Sequence, residues 1–212
     1  MEYQISFYST AQSGSSATRN LENRKRAADF LQQNGFTPGE VPHAKDLQQI
    51  QSELRTSFGL RNTHLYGDNV VVAEDPQGSI IGVGRFYLGH IFHTAMQHNK
   101  LDMAQLHLEK ANFAQLYVLP QARSQGVGKA IVQRAVKEAQ SQGFKQIYGY
   151  ADGDTAILMP LYKGLGFTIE TSDQPESIFG DFPAIIVNIR SGGFFFQMPL
   201  QPHSQCPLKR DC

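Results

Sequence analysis

The chain has 212 residues, 41% of them hydrophobic, and 19 basic side chains balance 19 acidic ones. That length suffices for one sizeable core, and the balanced charge leaves no electrostatic footprint for nucleic acid. No apolar run approaches the ~20 residues that cross a bilayer, and the start, Met1-Glu2-Tyr3-Gln4-Ile5-Ser6-Phe7, lacks the pattern of a secretory signal, so no membrane span and a cytoplasmic location are expected.

In chain order, Tyr3 to Tyr8 reads as a first strand and residues 12–16 as a polar loop. Apolar periodicity predicts a helix over 18–34, with Leu21, Ala28 and Leu31 inward and Gly35 as its stop. A second helix is predicted over 44–58, where Leu47, Ile50, Leu54 and Phe58 share a face. Val70 to Glu74 and Ser79 to Tyr87 form a hairpin around Asp75-Pro76-Gln77-Gly78. Residues 90–110 hold four of the seven histidines, His90, His93, His98 and His107. Their spacings match no common zinc pattern and both cysteines, Cys206 and Cys212, lie at the far end of the chain, so no metal is expected. Asn112 to Val118 is a strand, Ile131, Val132, Ala135, Val136 and Ala139 mark one buried helical stripe, and Gly143 stands where a left-handed cap belongs. Lys145 to Ala151, Phe167 to Thr171 and Ala184 to Ile189 are further strands, and Pro160 sets the start of the helix between the first two.

The most informative stretch is Arg123-Ser124-Gln125-Gly126-Val127-Gly128, between the strand and the helix that follows it. A helix N-terminus has unpaired N–H groups and about half a positive charge, so a pyrophosphate is held there with little help from side chains. Gly126 and Gly128 let backbone approach the phosphate oxygens closely. Taken alone, two glycines are equally consistent with a surface turn. A P-loop would need a hydroxyl after Gly128-Lys129, where Ala130 stands, and a dinucleotide fingerprint would need a third glycine where Ile131 stands.

What remains, Val118-x-Pro120-x-x-Arg123-x-x-Gly126-x-Gly128, resembles the acyl-coenzyme A signature of the GCN5-related N-acetyltransferase (GNAT) superfamily. Leu161-Tyr162-Lys163-Gly164-Leu165-Gly166-Phe167 resembles a second element of that family. The resemblance spans about residues 69 to 170 and implies an α/β (α+β) fold. Its sheet would be mixed but mostly antiparallel, with about seven strands, flanked by helices and splayed at the cofactor strand. It implies that Arg123, Ser124, Gln125, Gly126, Val127, Gly128 and Lys129 form a pyrophosphate turn, and that Leu116, Tyr117 and Val118 offer backbone to pantetheine. Tyr162 would be the acid that reprotonates the leaving thiolate; its alternative role is packing. The family's asparagine seven residues before that tyrosine is replaced here by Thr155, with Asp154 beside it.

The resemblance thus implies acetyl-CoA or another acyl-CoA as co-substrate and a primary amine of a small molecule, peptide or protein as acceptor. Direct attack needs a base, for which His93, Glu109 and ordered water are the candidates, because the cofactor strand carries no carboxylate. Relative to the family outline, residues 90–110 are an insertion, read as a lid, a substrate wall or a homodimer contact through Leu101, Met103, Leu106 and Leu108. A single domain is expected over 1–190 with a tail over 191–212. In that tail, Phe194-Phe195-Phe196 would be an added strand or plug, or else a wall for a long acyl chain. Two alternative functions stay open: fatty-acyl transfer from long-chain acyl-CoA or acyl carrier protein, and a non-catalytic CoA sensor.

Overall fold

A computed structural model describes residues 2–9, 17–36, 68–89, 92, 95, 101–171, 178 and 192–200. Seven strands form one sheet: β1 (Gln4–Ser9), β2 (Asn69–Glu74), β3 (Ile80–Leu88), β4 (Lys110–Val118), β5 (Gln146–Ala151), β6 (Thr168–Glu170) and β7 (Phe194–Pro199). Their order is β1-β2-β3-β4-β5-β7-β6, and every neighbouring pair except β4–β5 is antiparallel. Among the described residues, the α-helices that accompany them are α1 (Ala17–Gln33), α2 (Leu101–His107), α3 (Val127–Ser141) and α4 (Thr155–Gly164). The β2–β3 hairpin is locked by Asp75, whose carboxylate accepts from the backbone N–H of Gln77 (3.0 Å) and Ser79 (2.8 Å).

The register makes an opening at the centre of the sheet. β4 pairs with β3 from Ala111 to Val118, but it pairs with β5 only through Lys110, Ala111 and Asn112. Beyond Asn112 the two parallel strands diverge, as the expected splay requires. Ala114 is an extra residue on β4, since Arg85 faces Gln115 while Phe86 faces Phe113, and such a bulge bends its strand. Gly149 of β5 lies beside this divergence. A Cβ there would overlap the Phe196 ring and sit 2.5 Å from the Phe113 carbonyl oxygen, so only glycine lets β5 and β7 close in at this level.

The two faces of the sheet are covered differently. α3 packs on one face through buried Val127, Ile131, Val132, Ala135 and Ala139, and this cluster continues through Phe113, Phe194, Phe196 and Tyr162. α1 packs on the other through Ala27 and Leu31 against Val70, Val72 and Val83. The inward face of α1 departs from expectation, because Leu21 is 47% exposed and Ala28 is also exposed. Polar residues at helical spacing take that stripe instead: Asn20 donates to the Ser9 carbonyl (2.7 Å) and Arg24 meets Asp68.

Two further expectations change. α4 starts at Thr155, not near Pro160, because Asp154 caps it by accepting from the N–H of Ala156 (3.0 Å); Pro160 then removes one bond inside a short helix. The seventh strand comes from Phe194–Pro199, between β5 and β6, so the sheet extends past residue 190 and the three phenylalanines are core. The helix expected over 44–58 and the strand over 184–189 lie outside the described residues. Within residues 90–110, His90, His93 and His98 also lie outside them, as do the side chains of Leu101 and Met103. Phe92, Ala95, Ala104, His107 and Leu108 are buried, while Leu106 is 46% exposed.

Candidate active site

The glycine turn has the backbone that an anion cradle needs. A short 3-10 turn, Pro120–Ala122, leads to Ser124 (φ 58°) and Gly126 (φ 81°), both left-handed, and Gly126 is the N-cap of α3. Gly126 brings no capping side chain, and the first intrahelical bond runs from Ala130 N–H to the Gly126 carbonyl (2.9 Å). The N–H groups of Val127, Gly128 and Lys129 therefore have no intrahelical acceptor. A Cβ on Gly128 would meet only Val118 Cγ2, at 3.7 Å, so nothing in the packing calls for glycine there. Arg123 and Gln125 brace the turn: Arg123 Nε donates to the Val118 carbonyl (3.0 Å) with its guanidinium 5.7 Å from the Tyr117 ring, and Gln125 Nε2 donates to the Gln121 carbonyl (2.8 Å).

Leu116, Tyr117 and Val118 lead into the turn. They pair with β3 and, beyond the splay, not with β5, which leaves their other backbone edge facing the opening. The Tyr117 side chain points to the α1 face, 5.9 Å from the Phe30 ring and 5.4 Å from Phe36.

Tyr162 lies across the opening on the α3 face. Its ring stacks on Phe196 at 3.8 Å and meets Phe167 and Phe194 edge-on at 5.4 and 6.2 Å. Phe196 in turn touches Phe113, the first β4 residue past the β5 pairing. Burial raises the Tyr162 hydroxyl pKa well above the usual tyrosine value, so the phenol keeps its proton. Thr155 is the first residue of α4, behind the Asp154 cap.

Glu109 does not join this group. It precedes β4 at the end where β4 and β5 are still paired, and its carboxylate bonds Lys145 Nζ at 2.6 Å. Val118, at the glycine-turn end of β4, lies far along the strand from Glu109, whereas Phe113, where the splay opens, is four residues away. Glu109 as the base thus stays an expectation, its carboxylate paired with Lys145 at the surface, and His93 lies outside the described residues. Among the described residues, no group of three metal-binding side chains converges.

The structure adds a charged cluster that sequence reading missed. On the α1 face, Arg85 Nε donates to Asp68 Oδ1, Arg24 Nη2 stands 3.6 Å from Asp68 Oδ2, and Arg85 Nη1 reaches Gln115 Oε1 at 3.4 Å. Arg85 also lies 5.7 Å from the Tyr87 ring. Burial raises the Tyr87 hydroxyl pKa, Arg85 opposes that shift, and Asp68 adds to it. The available signal was an arginine inside the otherwise apolar run Ile80 to Leu88.

Comparison with known proteins agrees with this architecture. Residues 66–169 match the acetyltransferase (GNAT) domain family. A mycothiol acetyltransferase of Arthrobacter sp. (strain FB24) is 29% identical over 103 residues, covering 46% of this chain. The chain spans about a quarter, 27%, of that relative's length. Among solved structures, a chain of the NatC complex bound to Gag peptide and CoA aligns over 95% of this chain and all of its own, with TM-score 0.54 and 15% identity. A putative acetyltransferase of Salmonella typhimurium, solved with acetyl-CoA, aligns over 96% of this chain and 97% of its own, with TM-score 0.49 and 18% identity. The turn and the splayed β4 both fall within this match, so residues 66–169 form an acetyltransferase (GNAT) domain.

Proposed function

We propose that the chain is an N-acyltransferase that moves an acetyl or longer acyl group from acyl-CoA to a primary amine by direct attack. The observation that carries this reading is the pairing of an open, left-handed helix N-cap at Gly126 with the β4 edge that β5 leaves free. The N–H groups of Val127, Gly128 and Lys129 would hold the pyrophosphate, and the backbone of Leu116, Tyr117 and Val118 the pantetheine arm. Arg123, Ser124 and Gln125 keep the turn in shape. Acyl-CoA supplies the acyl group: a C–N bond forms as the C–S bond breaks, the amine gives up a proton, and the thiolate takes one. Tyr162, protonated by virtue of burial, is the candidate donor of that last proton, and Thr155, the first residue of α4, would help hold the cofactor. An amine near pKa ~10 must be deprotonated first, and ordered water or His93 would serve.

Two observations bear on the alternatives. Phe194, Phe195 and Phe196 are each at most 3% exposed, so they offer no open wall to a long chain, and fatty-acyl transfer loses that support. The second reading, a CoA sensor that binds without turnover, keeps the support of a β4 without a carboxylate. Titration of CoA into the wild-type chain and Gly126→Val tests the site. Strain at φ 81° costs a valine about 1 to 2 kcal/mol, and closing the cradle should weaken CoA at least ~100-fold in a chain that still folds. Equal affinities would remove the pyrophosphate assignment.

A further inference from the structure

We infer that Arg85 is a specificity-determining residue for the acceptor, and that the acceptor is an amine that also carries a carboxylate. The inference rests on the acyltransferase reading and adds a substrate class to it.

The α3 face at the splay is filled by the Phe113, Phe196 and Tyr162 rings, which belong to the main core. On the opposite face, alternation along β3 puts Val83, Arg85 and Tyr87 on one side, and Arg85 reaches Gln115 beside the β4 bulge. Arg85 stands one strand from the opening and reaches it through Gln115, so an acceptor carrying its anionic group over β4 on this face would meet the guanidinium. The guanidinium is buried, with 6% of its side chain exposed, and it is held rather than neutralised. Among the described residues, one carboxylate, Asp68, faces two guanidinium groups, Arg85 and Arg24, which leaves one positive charge in excess within that cluster.

The donors are in excess too. Arg24 Nε is buried without a hydrogen-bond partner. Among the described residues, the Arg85 contacts are Nε to Asp68, Nη1 to Gln115 and the Tyr87 ring, so the remaining nitrogen, Nη2, has N–H groups to offer. Surplus charge and surplus donors in one partly desolvated place are the complement of an oxyanion, and a planar guanidinium fork suits a carboxylate in particular. Asp68 sets the plane of that fork by taking Nε, so it acts as a positioning residue.

The test compares amino acids in which carboxylate and amine are separated by one, two or three carbons with their carboxamides, in wild type and Arg85→Lys. Free-thiol release gives kcat and KM, and titration of the same amines into the CoA-bound chain gives Kd. In wild type, at least one amino acid should exceed its amide by about tenfold or more in kcat/KM, with the difference in KM and Kd. In Arg85→Lys that ratio should fall toward one, since lysine keeps the charge and loses the fork. Equal use of acids and amides by wild type, or an undiminished ratio in Arg85→Lys, overturns the inference. Should the variant fail to fold, the wild-type ratio and Kd values decide alone. Failure to bind CoA at all is a separate result, which removes the acyltransferase reading instead.

Discussion

The two faces of the sheet are built by different means. On the α3 face, shape dominates: aromatic rings and small residues interlock, Gly149 admits the Phe196 ring, and the turn at Gly126 offers backbone rather than side chains. On the α1 face, an apolar patch under α1 gives way to charge, with Asp68 between two arginines near the β4 bulge. On the proposed reading, the donor would be held by backbone geometry on one face and the acceptor by side-chain chemistry on the other. Different substitutions should separate these two modes.

The largest effect is expected for Phe196→Ala. It removes a ring that is 1% exposed and that supports Tyr162, Phe113 and Phe167 together, and should cost about 3 to 5 kcal/mol in chemical denaturation. A loss under ~1 kcal/mol would mean that the α3 face is not the interlocked core described. Tyr162→Phe keeps the ring and removes only the hydroxyl. If that hydroxyl is the acid, kcat falls roughly 10- to 100-fold with CoA affinity nearly unchanged, and a steady rate would leave Tyr162 with packing alone. The smallest effect concerns pH. Burial raises the pKa of Tyr162 and Tyr148, so both stay protonated in the folded chain where unfolded tyrosines, near 10.0, ionise. Their contribution is fully present below pH ~10 and declines above it, by up to about 1.4 kcal/mol per pH unit for each. Denaturation at pH 8 and 11 checks the sign, and an alkaline gain in stability would contradict the burial of both hydroxyls.

The same contrast explains what the sequence disclosed. Arg123 to Gly128 is local: the strand, the two glycines and the helix stripe are consecutive, and the backbone they impose is nearly all of the site. Leu161 to Phe167 is local as well, and α4 ends as expected with Gly166 at φ 89°. Asp68, Arg24, Arg85 and Gln115 come from a loop, a helix and two strands, and only tertiary structure brings them together. α1 shows the same difficulty, because Asn20 and Arg24 occupy inward positions and Leu21 an outward one, which shifts the apparent stripe by one residue. Phe194 to Phe196 announced burial, yet their insertion between β5 and β6 depends on long-range pairing that no local pattern encodes. Glu109 is adjacent to β4 in sequence, and only the structure shows its carboxylate paired with Lys145.

The central claim, transfer of an acyl group from CoA to an amine, is tested most directly by following free thiol and acylated amine together from acetyl-CoA and a panel of primary amines. The account predicts that thiol and amide appear in equal amounts, at a rate that depends on the amine. CoA binding at the Gly126 turn without thiol release above that of buffer, for every amine in the panel, would contradict it and leave a sensor in its place.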